Sequence, residues 1–449
     1  MLAHSLPFAR KALGYVAMKA KHVAWIAVTV LTTAAVGTTA AVGVAVHQEY
    51  SALDHGQAPQ PPQARELVQP AQPADVDTSS MAGRLDAMAQ GPALPTLGAQ
   101  VINTTDGEVL WEHDATEPLI PASSTKVLTA AAAALEIDAD ARLKTEVLHA
   151  PGTDTAVIKA AGDVWMTHEQ LEDLAEQITE SAQATGDTID TVLIDTSIWT
   201  GDDQAEGWDP SNVDGGYVAP MQPAMLYGGR LGDTEGDVPR SHTPALDVAS
   251  TVADYVGASN AGTGPAPEDG EVIAHVESDT FMQRAEEMMK HSDNVMAEAI
   301  ARETALASGA EPSFDGATDN TLQLLADAGF NTDGVILNDN SGLSVDNRIN
   351  ADLLTHIILD AASNASLREI LLYLPVAGGE GTLADRYVDL SGRGFVRAKT
   401  GTLTGVSALS GTALGDSGNV YAFTFLVNDG DILGARQAQD TMASILREY

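Results

Sequence analysis

The chain has 449 residues, enough for two or three domains with a sizeable core. Its 63 acidic residues against 23 basic ones give a net charge of −40, which excludes a nucleic-acid partner because phosphate contacts need the opposite sign. There is no cysteine, so disulfides, thiolate metal sites and cysteine nucleophiles are excluded as well.

Charge is placed unevenly. Arg10, Lys11, Lys19 and Lys21 lie in the first 46 residues, and no acidic residue does. Residues 1–22 read as a basic cytoplasmic segment. Residues 23–46 carry no charge and would measure about 36 Å as a helix, enough to cross a bilayer. The basic flank places the N-terminus inside. An uncleaved signal anchor is expected, with the folded part outside the cytoplasm, in the cell envelope. Gly43-Val44-Ala45 would also pass as a cleavage site, which would release a secreted protein. Residues 47–79, dominated by Pro, Gln and Ala, read as an extended spacer.

The folded part starts near Ser80. "MAGRLDAMAQ" reads as a short helix, and residues 99–115 form a hairpin around Thr105-Asp106-Gly107. A helix follows from "PASSTKVL", where a serine ahead of the alanine run is a natural N-cap. Strands at 144–149, 155–160 and 191–195, with a helix over 168–184, predict an α/β domain inserted over 144–255. It would interrupt a main domain made of 80–143 and 256–449. Residues 201–239 are rich in Gly, Asp and Pro and resist assignment. Helical patterns return at 244–256, 280–305 and 350–362. "GFVRAKTGTL", "VSALSGTAL" and "NVYAFTFLVN" are three strands, closed by a helix over "ILGARQAQDTMASILREY". This order predicts an α/β architecture in which helices flank an antiparallel sheet.

Chemistry concentrates in three short elements. Ser123 and Lys126 stand three apart, about 300° on a helix, and share a face; Ser124 points away from Lys126. "HSDN" supplies Ser292-Asp293-Asn294 between helical stretches, and "AKTGT" supplies Lys399-Thr400-Gly401 on a strand. Another Ser-x-Asn, Ser417-Gly418-Asn419, follows Lys-Thr-Gly in a hairpin turn, and order and setting reject it. A serine hydroxyl attacks only once a base takes its proton. No histidine is placed for that task, whereas Lys126 is, provided burial beside a second cation such as Lys399 lowers its pKa. The helix N-terminus favours negative charge developing near Ser123. "HEQLE" at His168 lacks the second histidine of a zinc-protease helix and reads as a solvated helix start. His291 reads as a supporting or surface residue, and Trp165, Trp199 and Trp208 as packing within the inserted domain. No metal and no other cofactor is expected.

In this order the three elements match the signature of penicillin-binding proteins and serine β-lactamases. Together with "KTGTLTGVSALSG" (399–411), "NDNSGLSVDNR" (338–348), "LPVAGGEGTLADR" (374–386) and "LIDTSIW" (193–199), they make the chain resemble the low-molecular-mass class C penicillin-binding proteins. These are D-alanyl-D-alanine carboxypeptidase/endopeptidases, and the resemblance covers nearly all of 80–449. It implies a penicillin-binding/β-lactamase-like transpeptidase domain with one inserted α/β domain. The second inserted domain of larger members is reduced here to "GGRLGDTEGDVPRSH" (228–242).

The resemblance also implies roles. Ser123 forms an acyl-enzyme with Lys126 as base, Ser292 relays a proton to the leaving amine, and Asn294 holds the substrate's amide. Asp293 is structural. Lys399 and Thr400 face the substrate's terminal carboxylate, and Gly401 lets the strand backbone approach the ligand. Thr402 joins Ser123 in a backbone oxyanion hole, while Ser341 and Ser344 support the site. The implied substrates are peptidoglycan stem peptides, with β-lactams as inhibitors. A serine β-lactamase is the nearest alternative, although no Glu-x-x-Leu-Asn segment of the class A kind is present. A catalytically silent envelope-binding protein is the other.

Overall fold

The computed structural model describes residues 76–449. The basic segment 1–22, the apolar span 23–46 and all but the end of the spacer lie outside the described residues. Among the described residues no helix is long and apolar enough to cross a membrane.

The chain lays down α1 (Ser79–Ala89) and then the hairpin of β1 (Thr96–Asn103) and β2 (Val109–His113). A tight three-residue-per-turn helix, Ala122–Thr125, runs straight into α2 (Lys126–Glu136). Alanine gives α2 its helix propensity, and its small side chains let the helix lie buried from Lys126 to Ala133.

A second module follows: β3 (Lys144–His149), β4 (Thr155–Lys159), β5 (Asp163–Met166), α3 (His168–Thr185) and β6 (Thr191–Asp195). It continues through α4 (Ser211–Asp214), β7 (Ala224–Leu226), α5 (Pro244–Val256), β8 (Asn260–Thr263) and β9 (Glu271–Glu277). Its main sheet has the order β8-β6-β4-β3-β9. Leu171, Leu174 and Ile178 of α3 and Val248 and Val252 of α5 pack against Ile158, Val192 and Ile194 of that sheet. A capping box between Thr167 and Gln170 starts α3, which leaves His168 exposed at a helix start. The boundary expected at 255/256 needs correction, because β8 and β9 belong to this sheet and carry the module to Glu277. Both are edge strands and mostly exposed, so they show little apolar signal in the sequence.

The chain then returns through α6 (Phe281–His291), α7 (Asn294–Ala307), α8 (Phe314–Asp327), α9 (Ala351–Ser363) and α10 (Arg368–Tyr373). The strands β10 (Val396–Leu403), β11 (Val406–Leu414) and β12 (Val420–Asn428) and the helix α11 (Ile432–Arg447) end it. The main sheet, β10-β11-β12-β1-β2, is antiparallel throughout. Its strand β12 alternates as a doubly buried strand must. Tyr421, Phe423, Phe425 and Val427 pack with Met81 and Leu85 of α1 and Met442 and Leu446 of α11. Ala422 and Leu426 turn to the helical core with Leu128, Met289 and Leu354. Trp199 and Trp208 also belong to that helical core rather than to the inserted sheet, which corrects their expected place. Trp208 Nε1 donates to Asp339 at 2.7 Å.

The helical pattern read over 280–305 is two helices. Ser292 has φ 60, a left-handed conformation that side chains rarely adopt, and Asp293 restarts the helix by accepting from the Met296 N–H. The same Asp293 anchors the unassigned stretch. Arg230 and Arg240 are bridged backbone to backbone, and the Arg240 N–H donates to the Val213 carbonyl, which closes a strap over residues 213–240. Arg240 donates to the carbonyls of Gly216 (3.0 Å) and Gly228 (2.6 Å). Arg230 Nη2 lies 3.0 Å and Arg240 Nη2 3.7 Å from Asp293 Oδ2, all three side chains being buried. Burial pushes the Asp293 carboxyl up, but Arg240 and Arg230 outweigh it and hold it below its ordinary 3.8. A carboxyl depressed in the folded state stabilises the fold above the ordinary carboxylate range and loses that contribution as pH falls through its folded value. Asp293→Asn is therefore expected to cost about 3–5 kcal/mol at pH 7 in a denaturant melt. The deficit should narrow below about pH 4; a deficit that stays constant down to pH 3 would contradict the account.

Candidate active site

A cleft of about 760 Å³ opens where β10, the Ala122–Thr125 turn, the Ser292 break and the strap meet. Ser123, Ser292, Asn294, Thr400 and Thr402 line it, joined by Tyr217 from the strap and Arg436 from α11.

Ser123 sits in the tight turn, where residues three apart eclipse. Lys126 Nζ lies 3.1 Å from Ser123 Oγ. Ser124 is fully buried and donates its hydroxyl to the Pro121 carbonyl at 2.7 Å. No side chain caps α2, so the expected N-cap serine is absent; the tight turn continues into the helix in its place. Ala122, just before the nucleophile candidate, has φ 48, a conformation that costs energy for any residue with a Cβ.

Lys126 has two further neighbours, Asn294 Oδ1 and the Ser341 carbonyl, each at 2.7 Å. Both are acceptors. A neutral amine has two N–H bonds to give them and one lone pair left, which faces Ser123. The Asn294 amide is oriented by its other end, where Nδ2 donates to the Tyr217 carbonyl at 2.9 Å. Complete burial pulls the Lys126 ammonium down to about 8, against the opposing pull of Asp339, Asp293 and Glu298. The Ser341 carbonyl is itself held in place: Glu298 accepts from the N–H groups of Asn340 (3.0 Å) and Ser341 (2.7 Å). Asp339 accepts from those of Gly342 (2.8 Å) and Ser344 (2.6 Å). Burial, with Asp339 adding, pushes Glu298 up to about 8.

Lys399 is also fully buried, and its Nζ donates to Ser292 Oγ and to the Thr400 carbonyl, both at 2.8 Å. Burial first, and then the charge of Lys126, hold it well below the usual lysine range. Its bonds tie the third motif to the second through Ser292. Thr400 Oγ1 donates to Thr382 Oγ1 at 2.8 Å, and Thr402 Oγ1 accepts from Arg436 Nη2 at 2.7 Å. Packing requires glycine at 401: a Cβ there would lie 2.8 Å from the Pro121 carbonyl oxygen and 3.0 Å from Ser123 N. Glycine lets the edge strand β10 lie directly on the Ser123 turn.

Ser123, Lys126, Ser292, Asn294, Lys399, Thr400, Gly401 and Thr402 thus converge on one place. His291 stands at the rim, exposed, with Nε2 3.6 Å from Glu287. Sequence reasoning missed the carbonyls of Tyr217 and Ser341, which have no side-chain signature, and it missed Arg436. Thr382 lay within the resembling segment 374–386, which was the signal available for it.

Comparison with known proteins identifies the family. The model of the D-Ala-D-Ala carboxypeptidase 3 (S13) family matches residues 81–253 and 240–449. Carboxypeptidase DacB of Mycolicibacterium smegmatis is 40% identical over 395 residues, covering 82% of this chain and 85% of its own. A carboxypeptidase of Mycobacterium tuberculosis is 39% identical over 415 residues, covering 86% and 88%. In fold, the crystal structure of penicillin-binding protein 4 (dacB) from Haemophilus influenzae matches with a TM-score of 0.72 at 20% identity, covering 81% of this chain and 99% of that one. The chain belongs to the D-Ala-D-Ala carboxypeptidase 3 (S13) family and is a serine D-Ala-D-Ala carboxypeptidase of the low-molecular-mass class C penicillin-binding type.

Proposed function

We propose that Ser123 is the nucleophile of this carboxypeptidase, with Lys126 as its base, and that peptidoglycan stem peptides ending in D-Ala-D-Ala are its substrates. The observation that carries the reading is the Lys126 environment: a fully buried amine, two acceptors for its N–H bonds, and Ser123 Oγ at 3.1 Å. Lys126 takes the Ser123 proton as Oγ bonds to the penultimate D-alanine's carbonyl carbon. The backbone N–H groups of Ser123 and Thr402 steady the oxyanion. The C–N bond then breaks, and the terminal D-alanine leaves once its amine is protonated through Ser292, which Lys399 holds. Water next attacks the ester, with Lys126 accepting its proton and passing it to Ser123 Oγ as the acyl C–O bond breaks. Crosslinked peptides undergo the same steps, with a neighbouring stem as the leaving amine. A β-lactam acylates Ser123 and keeps its leaving group tethered.

The decisive experiment pairs labelling by a fluorescent penicillin with the release of D-alanine. Ser123→Ala is expected to abolish labelling and to cut release by about 10³-fold or more. Ser124→Ala should label normally, losing only a hydrogen bond worth about 1 kcal/mol in stability. Labelling that survives in Ser123→Ala would refute the assignment.

Residues 23–46 are read as the membrane anchor, with the catalytic part in the cell envelope. The uncharged run and the basic flank before it support this. Fractionation with N-terminal sequencing should find a membrane-bound chain that retains residues 1–22; a soluble chain starting after Ala45 would contradict an anchor.

A further inference from the structure

The cation of the third motif does not face the open cleft, since Lys399 is fully buried and bonded to Ser292 and Thr400. Two guanidinium groups line the cleft near Thr400 and Thr402, Arg386 and Arg436, the latter in the second turn of α11. Its neighbour Arg386 has a carboxylate of its own: Nε and Nη2 engage both oxygens of Asp440, at 3.0 and 2.5 Å. Asp440 is thereby occupied. Among the described residues no carboxylate lies within ion-pair distance of Arg436, in a chain whose net charge is −40. Partial burial lowers the Arg436 pKa, with Arg386 adding and Asp440 opposing, and an anion arriving beside it would relieve both effects.

Arg436 commits one hydrogen bond, from Nη2 to Thr402 Oγ1 at 2.7 Å. Because that oxygen accepts, the Thr402 hydroxyl keeps its own proton to donate. The remaining guanidinium N–H bonds form the planar fork that suits a carboxylate. Asp237 and Asp385 also line the cleft and disfavour an anion away from the guanidinium.

We propose that Arg436 is a specificity-determining residue that receives the free C-terminal carboxylate of the substrate, with the hydroxyls of Thr400 and Thr402 beside it. This rests on the D-Ala-D-Ala carboxypeptidase reading. It goes beyond that reading in giving the recognition of the terminal anion to α11, outside the three motifs.

The test compares two acylated tripeptides that end in D-Ala-D-Ala, one as the free acid and one as the C-terminal amide. The quantity read is kcat/KM for each. Wild type should prefer the acid. Arg436→Gln should lower kcat/KM for the acid by about 10- to 100-fold while changing the amide value by less than about threefold. Arg436→Lys, which keeps the charge and loses the fork, should fall between. An acid-to-amide ratio unchanged in Arg436→Gln, or an equal loss on both peptides, would overturn the inference and leave the carboxypeptidase reading standing. Failure of wild type on both peptides would overturn that reading and the inference with it.

Discussion

Two fully buried lysine amines in one site govern this molecule. Lys126 and Lys399 have no exposed surface, and isolated buried charge is among the most costly things a fold can contain. Burial alone would drive both to the neutral form. Opposing it are three buried acids, Asp339, Asp293 and Glu298, which favour the charged form of Lys126. Burial wins, but only partly, and leaves Lys126 at about 8. That balance suits a base, because a lysine near its ordinary value would be protonated at neutral pH and one far below it would be too weak to hold the serine proton.

Much of the surrounding architecture serves this pair. Glu298 and Asp339 hold the 338–344 loop so that the Ser341 carbonyl meets Lys126. Asp293 with Arg230 and Arg240 holds the strap, whose Tyr217 carbonyl orients Asn294. The left-handed turn at Ser292 brings its hydroxyl to Lys399. The strap is thus a wall of the cleft, tied at its base to the second motif. The cleft wall is shared between the edge strand β10, which supplies Thr400 and Thr402, and α11, which supplies Arg436.

What the sequence revealed follows from where physical signals are strong. β12 was legible because a strand buried on both faces reads as a nearly continuous apolar run, and α3 because an amphipathic face follows a capping residue. Ser123 could be separated from Ser124 by spacing alone, since three residues bring side chains together in both kinds of helix present. β8 and β9 were not legible because edge strands expose most of their residues. The strap was opaque for another reason: its order comes from two arginines reaching backbone carbonyls, and periodicity does not register that. Arg436 looked like any arginine on an amphipathic helix, and only the path of α11 past Thr402 sets it apart.

The central claim is that the fold holds Lys126 as a neutral amine at moderately alkaline pH. It can be measured directly by NMR titration of protein labelled with ¹³C at the lysine ε-carbon, with Lys126→Arg and Lys399→Arg used to assign the resonances. The account predicts that the Lys126 signal titrates near pH 8 and that the Lys399 signal titrates well below the ordinary 10.5. Titration of Lys126 at about 10.5, together with the solvent-exposed lysines, would contradict it.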